Sequence, residues 1–67
     1  MDSSRNDPQR LRDLLDQAGI QHNPAARAIE TSTRMMRYYL AEKGTPKWRE
    51  APYTTVLAIE RLAWKAR

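Results

Sequence analysis

The chain has 67 residues, and twelve lysines and arginines against eight acidic residues give it a formal net charge of +4. A chain of this length forms one domain, which buries only about 60% of its unfolded surface and is marginally stable by itself. Because it has no cysteine and one histidine, disulfide bridges, thiolate metal sites and multi-histidine metal sites are excluded. Good helix packing or a second subunit must supply stability, which favours a homodimer.

The excess of positive charge suits a polyanionic partner, although ribosomal proteins and small basic inhibitors share it. No long apolar run is present, so we expect no membrane contact. The polar, partly acidic start, Met1–Ser4, differs from a signal peptide, which predicts a cytoplasmic location. No residue pattern indicates a cofactor or a small-molecule effector, and none is expected.

Residues 1–6 are expected to form a flexible arm before the first helix. Asp7 is suited to the N-cap of that helix and Pro8 to its first position. The helix should end at Gly19, which adopts a left-handed conformation without strain. Its apolar residues recur with the spacing of one helical face and comprise Leu11, Leu14, Leu15 and Ala18. The solvent-facing side is assigned to Arg10, Arg12, Asp13, Asp16 and Gln17.

A second, shorter helix is predicted at about residues 23–29. Asn23 is the favoured N-cap and Gln21 the alternative, because Pro24 disfavours a helical conformation for the residue before it. The inward side is predicted to consist of Ala25, Ala28 and Ile29, with Ala25 and Ala26 small enough to permit close helix packing. Glu30 and Thr31 then break the helical pattern.

A third helix is predicted at about residues 33–43, with Ser32 as its N-cap and Gly44 as its end. Its core side comprises Met36, Tyr39 and Leu40. A basic loop follows, and a last helix is predicted at about residues 52–66. The wide apolar face of that helix indicates burial against both the core and a partner subunit. The predicted dimer interface comprises Trp48, Tyr53, Val56, Leu57, Glu60 and Trp64.

Two short helices joined by a three-residue break, after an amphipathic helix, have the layout of a helix-turn-helix. The sequence therefore predicts an all-α, small four-helix helix-turn-helix domain of the Cro/CI-like type, spanning residues 7–67 and dimeric through its C-terminal helix. Its third helix would enter the major groove of double-stranded DNA.

The face of the third helix opposite the core carries the candidate base-reading residues Thr33, Arg34, Arg37 and Tyr38. An arginine such as Arg34 can bind guanine O6 and N7 together, at about 1–3 kcal/mol of discrimination. Arg37 suits a base or a phosphate, Thr33 a base or the helix cap, and Tyr38 a phosphate or the helix edge. The candidate DNA-backbone contacts are Gln21, His22, Asn23, Ser32, Lys43, Lys47 and Arg49.

Three segments, LRDLLDQAGI (11–20), AARAI…S.R.MRYYL (25–40) and APYTTVLAIERLA (51–63), together resemble the anti-CRISPR-associated (Aca) helix-turn-helix repressors, in particular their type 1 group. The resemblance covers about residues 6–64. Its helix-turn-helix half is common among phage repressors, whereas MRYYL and the last segment are more specific to the group.

The resemblance implies a homodimeric repressor that binds an inverted repeat in the promoter of an anti-CRISPR operon and autoregulates that operon in the bacterial host cell. It also implies that an arginine early in the recognition helix, here Arg34, reads bases, and that the last helix mediates dimerisation. The chain departs from the group at two places. Asn23-Pro24 replaces an arginine pair, and Glu30 replaces the usual glycine of the turn, so that Glu30 either has a positive φ or the turn is rearranged.

Enzymatic activity is not expected, because the sequence lacks a nucleophile–base pair, a glycine-rich phosphate loop and metal-ligand spacing. Two alternatives remain open at this point. One is another phage DNA-binding switch protein of the Cro or excisionase type, and the other is a small basic inhibitor or antitoxin that binds an acidic protein.

Overall fold

A computed structural model describes residues 6–66 of the chain. Within them lie four α-helices, α1 (Pro8–Ala18), α2 (His22–Ala28), α3 (Thr33–Leu40) and α4 (Tyr53–Lys65), and no strand. This confirms the all-α fold class. Of the expected flexible arm, residues 1–5 lie outside the described part, while the Asn6 amide donates a hydrogen bond to Glu50 Oε1 at 2.6 Å.

The first helix begins and ends as its sequence predicts. Asp7 Oδ1 accepts a hydrogen bond from the backbone N–H of Gln9 at 2.9 Å, and Gly19 ends the helix with φ of +71°. Leu11 and Leu15 are fully buried. Arg10 and Arg12, assigned to the solvent-facing side, are partly buried and are bonded to other helices.

The second helix begins at His22, one residue before the predicted cap, so the assignment of Asn23 as N-cap was wrong. Gln21 takes that position but its side chain makes no capping hydrogen bond. Pro24 then lies in the first turn, where a backbone N–H has no partner within the helix. Ala25 and Ala26 are both fully buried, whereas Ala28, predicted to face inward, is exposed.

One apolar core joins all four helices and the loop before α4. It is built where α1 packs on α3 and α4, and α2 packs on the same two helices. Tyr39 and Ile29 are partly buried against this core, as predicted. The buried residues of this core cluster are Leu11, Leu15, Ala25, Ala26, Met36, Leu40, Ala51, Val56 and Ile59.

The third helix ends at Leu40, so its predicted extension to about residue 43 was wrong. Ala41 is extended, with φ of −67° and ψ of 158°. The last carbonyl groups of the helix bind donors from elsewhere in the fold: Arg12 Nη1 lies 3.1 Å from Leu40 O, and the Arg49 backbone N lies 3.1 Å from Tyr38 O. These tertiary bonds end the helix four residues before Gly44.

The turns that follow α1 and α2 have the same backbone geometry. After α1, the N–H of Gly19 donates to Asp16 O and that of Ile20 donates to Leu15 O. After α2, the N–H of Glu30 donates to Arg27 O and that of Thr31 donates to Ala26 O. Both pairs form a Schellman motif, whose key residue is left-handed. Glu30 has φ of +59°, so the turn keeps the glycine-type geometry without a glycine.

Replacing Glu30 with glycine should stabilise the protein, since glycine adopts this conformation without a clash between Cβ and the backbone. We expect Glu30→Gly to raise the free energy of unfolding by about 1 kcal/mol, measured by urea denaturation. Glu30→Ala, which removes the carboxylate but keeps Cβ, should give no such gain. Glu42→Gly, in a loop position without positive φ, is the matched control, and equal stabilisation by both glycine variants would contradict the prediction.

Candidate nucleic-acid interface

The two sides of α3 differ sharply in burial. Met36 and Leu40 are 1% and 4% exposed, and they fix the helix to the core. Thr33, Arg34 and Arg37 are exposed on the other side, and Tyr38 is half-buried at its edge. These four residues are named the polar face of α3. Because neighbours on a helix are three and four residues apart, they form one continuous surface.

The polar face of α3 forms one wall of an open cleft, to which two other parts of the chain contribute. Asn23 reaches the cleft from the first turn of α2, and Lys47 from the loop between α3 and α4. Ala41 also lines the cleft, on the side that helical spacing places opposite the core. All four candidate base-reading residues are thus brought together with two of the candidate backbone contacts. The lining residues are Asn23, Thr33, Arg34, Arg37, Tyr38, Ala41 and Lys47.

The charge of this cleft is entirely positive among its lining residues. Arg34, Arg37 and Lys47 carry the three charges, and no acidic side chain within residues 6–66 lines the cleft. None of the three cations forms an ion pair with another residue within 6–66. Since no neighbouring carboxylate neutralises them, their field extends into solvent and favours an anionic ligand.

Ser32 positions the start of the polar face. Its Oγ accepts a hydrogen bond from the backbone N–H of Met35 at 3.0 Å, which confirms it as the N-cap of α3. The hydroxyl is exposed, and its own proton can still be donated to an oxygen atom outside the chain. The other backbone N–H groups of this first turn that lack a partner within the helix point out of its N-terminal end.

The other candidate backbone contacts do not share the cleft. Gln21 and His22 line a neighbouring depression at the α1–α2 turn, and Asn23 lines both this depression and the cleft. Asp16 also lines the depression, and its carboxylate reduces the positive potential there. The Arg49 guanidinium donates to Pro46 O and Trp48 O, so it holds the conformation of its own loop. Lys43 is exposed and outside the cleft.

The residues predicted for a dimer interface are divided by the fold. Tyr53 is 49% and Trp64 is 76% exposed, with Leu57 half-buried between them on α4. Val56 is 2% exposed and belongs to the chain's own core, so its assignment to an interface was wrong. Glu60 forms an ion pair with Arg10 at 2.5 Å. Trp48 is half-buried, with Nε1 buried and without a hydrogen-bond partner among the described residues.

Comparison with known protein families, curated proteins and solved structures found no match to this chain. Within residues 6–66 no helix has the length and apolar character needed to cross a bilayer. The same residues contain no group of three or more histidine or acidic side chains placed to hold a metal ion. The interpretation of the cleft therefore depends on its own chemistry.

Removing the cap of α3 should destabilise the protein and leave the cleft charges intact. We expect Ser32→Ala to lower the free energy of unfolding by about 1 kcal/mol, because the Met35 N–H loses its partner. Ser32→Asp retains a capping oxygen and should stay within a few tenths of a kcal/mol of the parent chain. Thermal or urea denaturation of both variants tests this. A loss in Ser32→Asp equal to that in Ser32→Ala would show that the capping oxygen is not its cause.

Proposed function

We propose that this protein is a sequence-specific, double-stranded DNA-binding repressor in which α2, the turn at Glu30 and α3 act as a helix-turn-helix. The observation that supports this most strongly is the cleft itself. It places unpaired cations and hydroxyl groups on one side of a helix whose other side is fixed to the core. A surface of this kind presents hydrogen-bond donors in a constant arrangement, as direct recognition of base edges requires.

The dimensions of α3 suit the major groove of B-form DNA. An α-helix with its side chains is about 10–12 Å in diameter, and the groove is about 12 Å wide and 8.5 Å deep. Bulky core residues are confined to the opposite side, so the polar face can approach the bases. In this arrangement the first turn of α2 lies over the DNA backbone on one side of the groove, and the loop carrying Lys47 lies over the DNA backbone on the other side.

Each cleft residue has a proposed role that follows from its donor geometry. Arg34, at the second position of α3, binds guanine O6 and N7 through its planar guanidinium. Arg37, one turn further on, and Lys47 bind phosphate oxygens. Thr33 contacts a base edge beside Arg34, and Tyr38 donates its hydroxyl proton to the backbone. Asn23 and Ser32 add hydrogen bonds to phosphate oxygens near the start of α3.

We further propose that the protein acts as a homodimer through the exposed face of α4, defined by Tyr53, Leu57 and Trp64. Exposed aromatic side chains of this size are favoured anchors of protein interfaces. Twofold symmetry would place two copies of α3 in major grooves about one helical turn apart, about 34–36 Å. The operator would then be an inverted repeat.

The sequence resemblance to Aca repressors supports a biological role beyond DNA binding. In that role the dimer binds the promoter of an anti-CRISPR operon that includes its own gene, and blocks polymerase after an early burst of expression. Glu30 has a positive φ, which is the conformation that a glycine at this position of the turn adopts without strain. Asn23-Pro24 replaces two cations at the start of α2, and we expect weaker binding of the DNA backbone there.

The direct test is a footprint on the DNA upstream of the gene, repeated over a range of salt concentrations. A protected inverted repeat is expected, with log affinity falling by about 0.9 per log unit of salt for each phosphate neutralised. An affinity for DNA that is independent of salt and sequence would contradict the proposal. Salt-insensitive capture of an acidic protein in place of DNA would favour the inhibitor alternative.

Arg34 carries the proposed base recognition, and its loss should reduce discrimination more than overall attraction to DNA. We expect Arg34→Ala to lower the preference for operator over mismatched DNA by about 1–3 kcal/mol, measured by competition binding. Arg61→Ala is the control, because it removes the same charge from an exposed position on α4. Unchanged preference in Arg34→Ala, or an equal loss in Arg61→Ala, would remove Arg34 from the recognition site.

Trp64 tests the proposed dimer without disturbing the core, since most of its side chain is exposed in the single chain. Trp64→Arg should place like charges at the interface and shift the protein from dimer to the 7.8 kDa monomer, with an unchanged circular dichroism spectrum. Sedimentation velocity at micromolar concentration is the measurement. Thr54→Arg, exposed elsewhere on α4, should remain dimeric, and a monomeric parent chain would contradict the dimer.

A further inference from the structure

We propose that Arg12 of α1 is a positioning residue for α3, which fixes the orientation of the polar face and so contributes to sequence discrimination without touching DNA. This inference rests on the proposed function of α3. Arg12 was assigned to the solvent-facing side of α1 from the sequence, and α1 does not line the cleft.

The contact joins the two helices at the point where α3 ends. Arg12 Nη1 donates to the backbone oxygen of Leu40 at 3.1 Å, and this bond is partly buried. Leu40 is the last residue of α3, and its carbonyl has no acceptor role within the helix. A cation at this end also interacts favourably with the helix dipole. The bond therefore satisfies an orphan oxygen and a partial negative charge together.

Arg12 is itself held in place by a second contact on α1. Its Nη2 donates to Gln9 Oε1 at 2.9 Å, and Gln9 Nε2 donates to Asp13 Oδ1 at 2.9 Å. A guanidinium with two nitrogens engaged in different directions has little rotational freedom. The side chain thus acts as a fixed link between α1 and the end of α3.

A second hydrogen bond, from the loop between α3 and α4, restrains the same turn of α3. The backbone N–H of Arg49 donates to Tyr38 O at 3.1 Å, and Tyr38 belongs to the polar face. Buried Met36 and Leu40 attach one side of α3 to the core, and the two hydrogen bonds attach its last turn to α1 and to the loop after α3. Recognition of base edges requires donors to be held within about 0.5 Å of their productive positions.

The experiment compares Arg12→Ala with Arg12→Lys and with Arg10→Ala in the full chain. Arg10→Ala is the matched control, since it removes the same charge from the same helix but breaks a contact with Glu60 of α4. Two quantities are measured for each variant: amide hydrogen exchange over residues 38–41 in the free protein, and affinity for operator and random duplexes over a salt range.

If Arg12 positions α3, Arg12→Ala exchanges faster than Arg10→Ala over residues 38–41 and loses about tenfold in preference for operator over random DNA. The salt dependence of DNA binding by Arg12→Ala stays equal to that of the parent chain. Arg12→Lys, which keeps one donor to Leu40 O, should recover part of both losses.

Two results would overturn the inference. A salt slope reduced by about one unit with unchanged sequence preference would make Arg12 a direct phosphate contact. Unchanged exchange over residues 38–41 would show that the Leu40 bond does not restrain α3. Failure of the proposed function is distinguishable from these two results, because the parent chain would then show no sequence preference. The hydrogen-exchange comparison would still decide whether the bond between Arg12 and Leu40 restrains α3.

Discussion

The attachment of α3 to the core through Met36 and Leu40 is the constraint on which the candidate site depends. These residues lie on one side of a helix of only eight residues, so the opposite side is left to solvent. Ala25 and Ala26, both fully buried, have side chains small enough for α2 to approach α3 and the rest of the core closely. Larger residues there would push α2 away and open the cleft that Asn23 and the polar face of α3 share.

Specific hydrogen bonds stabilise both ends of α3 and the C-terminal end of α2. Helices shorter than about 12–15 residues are marginal in isolation. Ser32 caps the start of α3, Arg12 and the Arg49 backbone bind its last carbonyl groups, and a Schellman motif ends α2. Because these bonds come from several parts of the chain, the geometry of the cleft is coupled to the packing of α1 and of the loop after α3.

The sequence predicted the elements whose signals are local. Asp7, Gly19 and Ser32 act as predicted, and the periodicities of α1 and α3 identify the right buried leucines and methionine. The end of α3 was not predictable in the same way, because Ala41, Glu42 and Lys43 are good helix formers and the bonds that stop the helix come from Arg12 and Arg49. Helical spacing grouped Thr33, Arg34, Arg37 and Tyr38, but only the tertiary fold adds Lys47 to them.

The central claim is that the polar face of α3 recognises a DNA sequence, and selection from a pool of random duplexes tests it most directly. Sequencing of the DNA retained by the full chain at near-physiological salt should show an enriched inverted repeat, with half-sites about 10–10.5 base pairs apart between centres. A retained pool with the same base composition as the starting library, or no retained DNA, would contradict the claim.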